Sequence, residues 1–145
     1  MHKLEDSLGF QVNMAANAMK NRFNSFLKPY NLTSEQYVIM KSISENPDIS
    51  PTGLAEITYK DKTTITRMIN TLVKNDMLIR VPKEDDRRAY KIQWSEKGER
   101  IMKEIIPISD DVITKLREQF GEKELESFLS ILDTLKNTPC LETLT

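Results

Sequence analysis

Five residues between positions 63 and 70 have the types and spacing for recognition chemistry. On a helix advancing about 100° per residue, Thr63, Arg67 and Asn70 share one stripe with Lys74, while Thr66 lies beside it and Thr64 toward the N-terminal end. That stripe offers one or two hydrogen-bonding groups per turn and no Asp or Glu. Small hydroxyls let a helix approach base edges closely, and an arginine one turn later has the reach and the fork for guanine O6 and N7. The positive end of such a helix also favours phosphate. A second cluster, residues 83–88, strings together Lys83, three acids ending at Asp86, and the pair Arg87 and Arg88. An arginine at the tip of a β-ribbon can enter a narrow minor groove, where the negative potential is enhanced, and a neighbouring acid can fix its rotamer. Ser50, Lys60, Lys62, Lys74 and Lys83 are placed to meet a phosphate backbone around these two clusters. Either cluster alone also describes an ordinary solvated surface; the pairing of the two carries the signal.

The surrounding elements can be read from periodicity. The first helix is read over roughly 5–28, with apolar residues from Leu8 to Leu27 at helical spacing, and Pro29 should end it. Thr33 and Gln36 form a capping box that opens a helix over 34–45, with Tyr37, Val38, Met40 and Ile43 turned inward. Ser50 followed by Pro51 reads as an N-cap and a first helical position, opening a short helix over 51–58 that buries Leu54, Ala55 and Ile57. Asp61 caps the next helix, 62–75, whose apolar set is Ile65, Met68, Ile69, Leu72 and Val73. The Asn75-Asp76 pair suits its C-terminal stop, because asparagine tolerates the left-handed conformation. The period then changes to that of strands over 78–82 and 89–94, with Ile79, Val81, Tyr90, Ile92 and Trp94 alternating around the charged loop. Ser95 opens a long helix over 96–119 that Pro107 should kink, and Gly121 separates it from a last helix over 122–136. Three helices followed by a β-hairpin is the order of a winged helix-turn-helix. The expected fold is therefore mainly α with a small β-hairpin wing (α+β), flanked by N- and C-terminal helices.

Composition sets the boundaries of what this chain can do. At 145 residues, 39% hydrophobic and 30% charged, it can bury a core without staples. A single cysteine, Cys140, allows no internal disulfide or thiolate cluster, and a single histidine, His2, leaves no basis for a His-centred triad or metal site. No phosphate-binding glycine loop or evident carboxylate pair is present, so neither an enzyme nor a cofactor is expected. The N-terminus lacks an apolar signal core and the longest apolar run is residues 105–108, which describes a cytoplasmic protein with no membrane partner. Taken as a whole, the net charge of −1 speaks against nucleic acid, yet it is unevenly spread. Residues 1–58 sum to −1, residues 59–94 to +4 and residues 95–145 to −4. The basic share falls on the two clusters.

Taken together, residues 32–98 resemble the MarR family of winged-helix transcription regulators. The resemblance is carried by Leu32-Thr33, Gly53-Leu54-Ala55, Thr66-Arg67 with Leu72, and Asp86-Arg87-Arg88, followed by Trp94-Ser95 and Gly98. Phe120-Gly121-Glu122-Lys123-Glu124-Leu125 looks like the family's entry to its last helix. Trp94 stands for a leucine, and the 75–78 stretch replaces the usual glycine stop. The resemblance implies that Thr63, Thr64 and Arg67 face the major groove, that Arg87 and Arg88 enter the minor groove, and that Asp86 orients the arginine.

It further implies a division into an N-terminal dimerisation helix (1–31), a DNA-binding domain (32–98) and C-terminal dimerisation helices (99–145). The apolar stripes of the outer helices fit a homodimer on a palindromic operator of double-stranded DNA. The expected function is a bacterial or archaeal repressor of MarR type, released by a small aromatic or anionic effector, with Phe10, Met14 and Tyr37 as candidate ligand contacts. The oxidant-sensing members of the family carry a cysteine near the first helix, and Cys140 is not there. The competing reading is a winged helix repurposed for protein–protein contact, which the acids at the wing tip would suit.

Overall fold

The computed structural model describes residues 1–86 and 88–138, and the chain divides into two compact units, Met1–Met102 and Lys103–Thr145. Arg87 and Cys140 lie outside the described residues.

The first unit opens with a 3₁₀ turn, Leu4–Asp6, and helix α1, Leu8–Leu27, whose first turn is capped by the Ser7 hydroxyl accepting from the Phe10 N–H at 3.3 Å. Pro29 ends α1 as expected, within a second 3₁₀ turn, Lys28–Tyr30, after which Asn31 takes a left-handed φ of 57°. Helix α2 spans Ser34–Glu45 behind a complete capping box: Thr33 Oγ1 accepts from the Gln36 N–H and Gln36 Oε1 from the Thr33 N–H. Helix α3, Pro51–Thr58, starts on the Ser50 cap and its N1 proline, and helix α4, Lys62–Lys74, starts on Asp61. These boundaries are set locally, by side chains that satisfy the orphan N–H groups of the first turn.

Strand β1, Leu78–Pro82, pairs antiparallel with β2, Tyr90–Trp94, in the register Leu78 with Trp94, Arg80 with Ile92 and Pro82 with Tyr90. Helix α5, Glu96–Glu118, follows after Ser95. The core gathers Leu27 at the end of α1, Tyr37, Ile39, Met40 and Ile43 from α2, Leu54 from α3, and Ile65, Ile69 and Leu72 from α4. Leu32, Met77, Leu78, Ile92 and Met102 complete it. Each fully buried leucine-sized side chain contributes about 1.5–3 kcal/mol relative to exposure.

Four expectations change. Val38 is exposed and Ile39 is buried, because the buried stripe of α2 runs through Tyr37, Met40 and Ile43, with Ile39 beside it. Ile57 also stands outside the core, in the last turn of an eight-residue helix. The left-handed residue after α4 is Asp76 (φ 59°), while Asn75 stays at φ −86°. In the hairpin, the register places Leu78, Arg80, Tyr90, Ile92 and Trp94 on one face, so Ile79 belongs to the opposite, solvated face and is exposed.

The second unit holds the rest of α5 and helix α6, Glu122–Asn137, preceded by Gly121 in an extended conformation. Pro107 lies inside α5, which continues on both sides of it. Ile108, Val112, Ile113, Leu116 and Phe120 are exposed in this unit, as are Phe128, Leu129 and Ile131.

Candidate nucleic-acid interface

The outward face of α4 is positioned by its start, its buried stripe and its end. At the start, Tyr59 takes a left-handed φ of 55°, and the Lys60 N–H bonds back to the Ala55 carbonyl, turning the chain sharply between α3 and α4. Asp61 then accepts the Thr64 N–H at 2.7 Å and the Thr64 hydroxyl at 2.9 Å. These two bonds hold the Asp61 carboxyl below its ordinary range, despite some opposing desolvation, and Arg67 adds a smaller attraction. Ile65, Ile69 and Leu72 fix the rotation of the helix by facing the core.

The end of α4 is clasped by the start of α5. The Met77 N–H bonds to the Leu72 carbonyl, Ser95 Oγ donates to the Asp76 carbonyl, and Lys97 Nζ donates to the Asn75 carbonyl at 3.1 Å. Gly98 makes this approach possible: a Cβ there would lie 2.2 Å from the Met77 carbonyl oxygen. From the other side, Trp94 Nε1 donates to the Met40 carbonyl at 2.8 Å and ties the root of the hairpin to α2.

What this framework presents is a shallow, open concavity on the outer face of α4, lined by Lys62, Thr63, Thr66, Arg67 and Asn70. Four of the five residues expected to read bases (Thr63, Thr66, Arg67 and Asn70) thus come together, with the backbone candidate Lys62 among them. Thr64 does not join them; it is half-buried and its hydroxyl is spent on the Asp61 cap. Lys74 is exposed in the last turn of α4. Ser50 is exposed but serves as the α3 cap, accepting from the Gly53 N–H. Lys60 is drawn to Glu35 at 3.6 Å, and Glu35 also pairs with Lys20 at 2.5 Å. The Lys20 hydrogen bond is the largest cause of a lowered Glu35 pKa, partly opposed by burial and aided by the Lys60 charge.

In the wing, the loop closes through the Lys83 N–H to the Ala89 carbonyl, and Asp86 Oδ1 accepts from the Arg88 N–H at 2.9 Å. Asp86 therefore orders the backbone that carries Arg88, and Lys83 and Arg88 are both exposed. Of the effector candidates, Phe10 is half-buried, Met14 is exposed and Tyr37 is buried. The Tyr37 ring meets Phe23 edge-on at 4.9 Å, and its hydroxyl has no hydrogen-bond partner.

Arg80 was not among the expected site residues. Its guanidinium donates to Asn70 Oδ1 and lies 5.3 Å from the centre of the Tyr90 ring. The signal was the two-residue period of the strand: with Leu78 inward, position 80 faces the same way, toward α4. Among the described residues, no cluster of three or more His, Cys, Asp or Glu side chains could hold a metal, and no helix is long and apolar enough to cross a membrane.

A three-helix core, a two-stranded wing and a polar outward helix face define a winged helix-turn-helix protein. Comparison with known proteins narrows the class. Residues 32–90 match the family model described as MarR family. The HTH-type transcriptional regulator SarZ of Staphylococcus aureus (strain USA300) is 26% identical over 134 residues, which is 92% of this chain and 87% of SarZ. Among solved structures, the S. aureus MepR–DNA complex superposes with a TM-score of 0.80 at 18% identity, covering 89% of this chain and 96% of MepR. CouR from Rhodococcus jostii RHA1 bound to p-coumaroyl-CoA superposes with a TM-score of 0.78 at 19% identity, covering 93% of this chain and 95% of CouR. At those identities the two structures establish the fold. Residues 32–90 are thus similar to the MarR family, and SarZ, the relative aligned along most of this chain, is by name a transcriptional regulator.

Proposed function

We propose that this protein is a homodimeric, sequence-specific DNA-binding regulator of MarR type that represses from a palindromic operator. The observation that carries the reading is the α4 concavity, where Thr63, Thr66, Arg67, Asn70 and Lys62 converge on a helix with no acid of its own. Hydroxyl, amide and guanidinium groups at successive turns match the donor and acceptor pattern of a major groove. Arg88, exposed on a wing ordered by Asp86, reaches the adjacent minor groove, and Lys83 and Lys74 meet phosphates. Arg87 shares the wing role by its place in the sequence. The DNA complex of MepR supports this use of the fold.

Release by a small aromatic or anionic effector is part of the same reading. The Tyr37 hydroxyl, buried without a partner, is a donor and acceptor that a ligand could satisfy, and Phe10 and Met14 on α1 supply apolar contact. CouR, a protein of this fold solved with bound p-coumaroyl-CoA, supports the effector reading. The domain division follows: 1–31 and 99–145 for pairing, 32–98 for DNA.

The test is selection of a duplex from a randomised pool, followed by binding of variants. Arg67→Ala should lower discrimination at one base pair by about tenfold or more, the effect of losing a bidentate contact of about 1–3 kcal/mol. Arg88→Ala should weaken binding with the fold intact. Parent-like binding by both variants would overturn the residue assignment, and no preference over random DNA would favour a protein–protein module instead.

A further inference from the structure

Arg80 occupies the middle of β1, on the face that carries buried Leu78 and Ile92, yet it is itself exposed. Its guanidinium is held twice, by Asn70 Oδ1 on α4 and by the face of the Tyr90 ring at 5.3 Å. Arginine carries five N–H donors and no acceptor, so the amide atom that faces it has to be the oxygen. That leaves the NH₂ of Asn70 as the part available to the concavity that Asn70 lines. An asparagine that reads adenine with two bonds must accept from N6 while it donates to N7. With its oxygen turned to Arg80, Asn70 presents its NH₂ outward, and an N–H donor there is accepted by guanine O6 or N7 but opposed by the N6 amino group of adenine. The other guanidinium donors of Arg80 remain at the joint between α4 and the hairpin. A duplex engaged by both elements would bring a phosphate there. Because ring and amide already restrain the side chain, little rotamer freedom would be lost on contact.

We infer that Arg80 is a further DNA-contacting residue that binds a backbone phosphate between the α4 and wing contacts and locks Asn70 as a donor, so that Asn70 selects guanine over adenine. This rests on the DNA-binding reading above. The test uses the full-length chain and the duplex it enriches from a randomised pool, with affinity measured across a salt series and base preference read position by position. Arg80→Ala should bind about tenfold more weakly at low salt, with a log–log salt slope shallower by about 0.9, and should lose a guanine preference at one position. Arg80→Lys should keep the slope, since the charge remains, but lose that preference, since a lysine lacks the fork. Asn70→Ala should lose the same preference, and the double variant should lose no more of it than either single one. A parent-like slope or a parent-like preference in Arg80→Ala, while the parent itself binds its duplex, overturns the inference and leaves the DNA reading standing. A parent chain that enriches no duplex overturns the DNA reading and this inference with it.

Discussion

Lys60, at the turn before α4, shows how an isolated side chain acquires its role. By sequence it is a basic residue beside a basic helix, free to meet phosphate. In the fold, Glu35 lies between Lys20 of α1 and Lys60, so one carboxylate bridges three parts of the chain. All three groups are substantially solvated, which keeps the net stabilisation small. Its pH dependence nonetheless has a definite sign. The folded-state pKa of Glu35 is lowered, chiefly by the Lys20 hydrogen bond, so its contribution is present above the unfolded-state value and is lost as pH falls through the folded one. Glu35→Gln should therefore melt below the parent at neutral pH, and the two should converge in acid, as thermal melts across a pH series would record. Glu35 could not be recognised from sequence, because its partners lie 15 residues before it and 25 after it, on elements whose docking is a property of the fold. Thr33, Ser50 and Asp61 were legible because a cap needs only residues three positions apart.

At the level of elements, the joint between α4 and α5 holds the recognition surface in place. Ser95, Lys97 and Gly98 all act on the carbonyls of residues 75–77, the three that close α4. Gly98→Ala would drive a methyl into the Met77 carbonyl, a backbone atom with no flexible side chain to yield. It should destabilise the fold by about 1–3 kcal/mol or more, measured by urea unfolding. If the joint also sets the angle of α4, the surviving folded fraction should bind DNA more weakly than Gly98→Ala stability alone accounts for. Apart from the start of α1, which periodicity sets about three residues early because a 3₁₀ turn precedes Ser7, the helices were legible almost to the residue, since proline, caps and apolar period all agreed. The hairpin was legible as a hairpin, but not its faces. Ile79 and Val81 look like the inner pair on hydropathy, whereas the cross-strand register gives that side to Leu78 and Arg80. Register is a relation between two strands, and neither strand states it alone.

For the whole molecule, the exposed apolar residues are the property that one chain leaves unresolved. Leu8, Val12, Met14 and Met19 on α1 are open to solvent within the first unit, and Val112, Leu116, Phe128 and Leu129 within the second. Surfaces of this kind mark association sites. Sedimentation should give twice the 16.8 kDa of one chain. Phe128→Glu, at a position 53% exposed in the single chain, should shift the protein toward the monomer without changing its helix content. A monomeric parent would remove the dimer from the proposal. The −4 charge of residues 95–145 is compatible with this arrangement, since it would repel a phosphate backbone and leave the +4 segment to face it. The indole bond at the wing root has a practical consequence too. Trp94 is the sole tryptophan in the chain, half-buried, with its Nε1 tied to the Met40 carbonyl. The protein thus carries one intrinsic fluorophore at the hinge of its wing, whose emission colour and lifetime would report loosening of that hinge in an unlabelled sample.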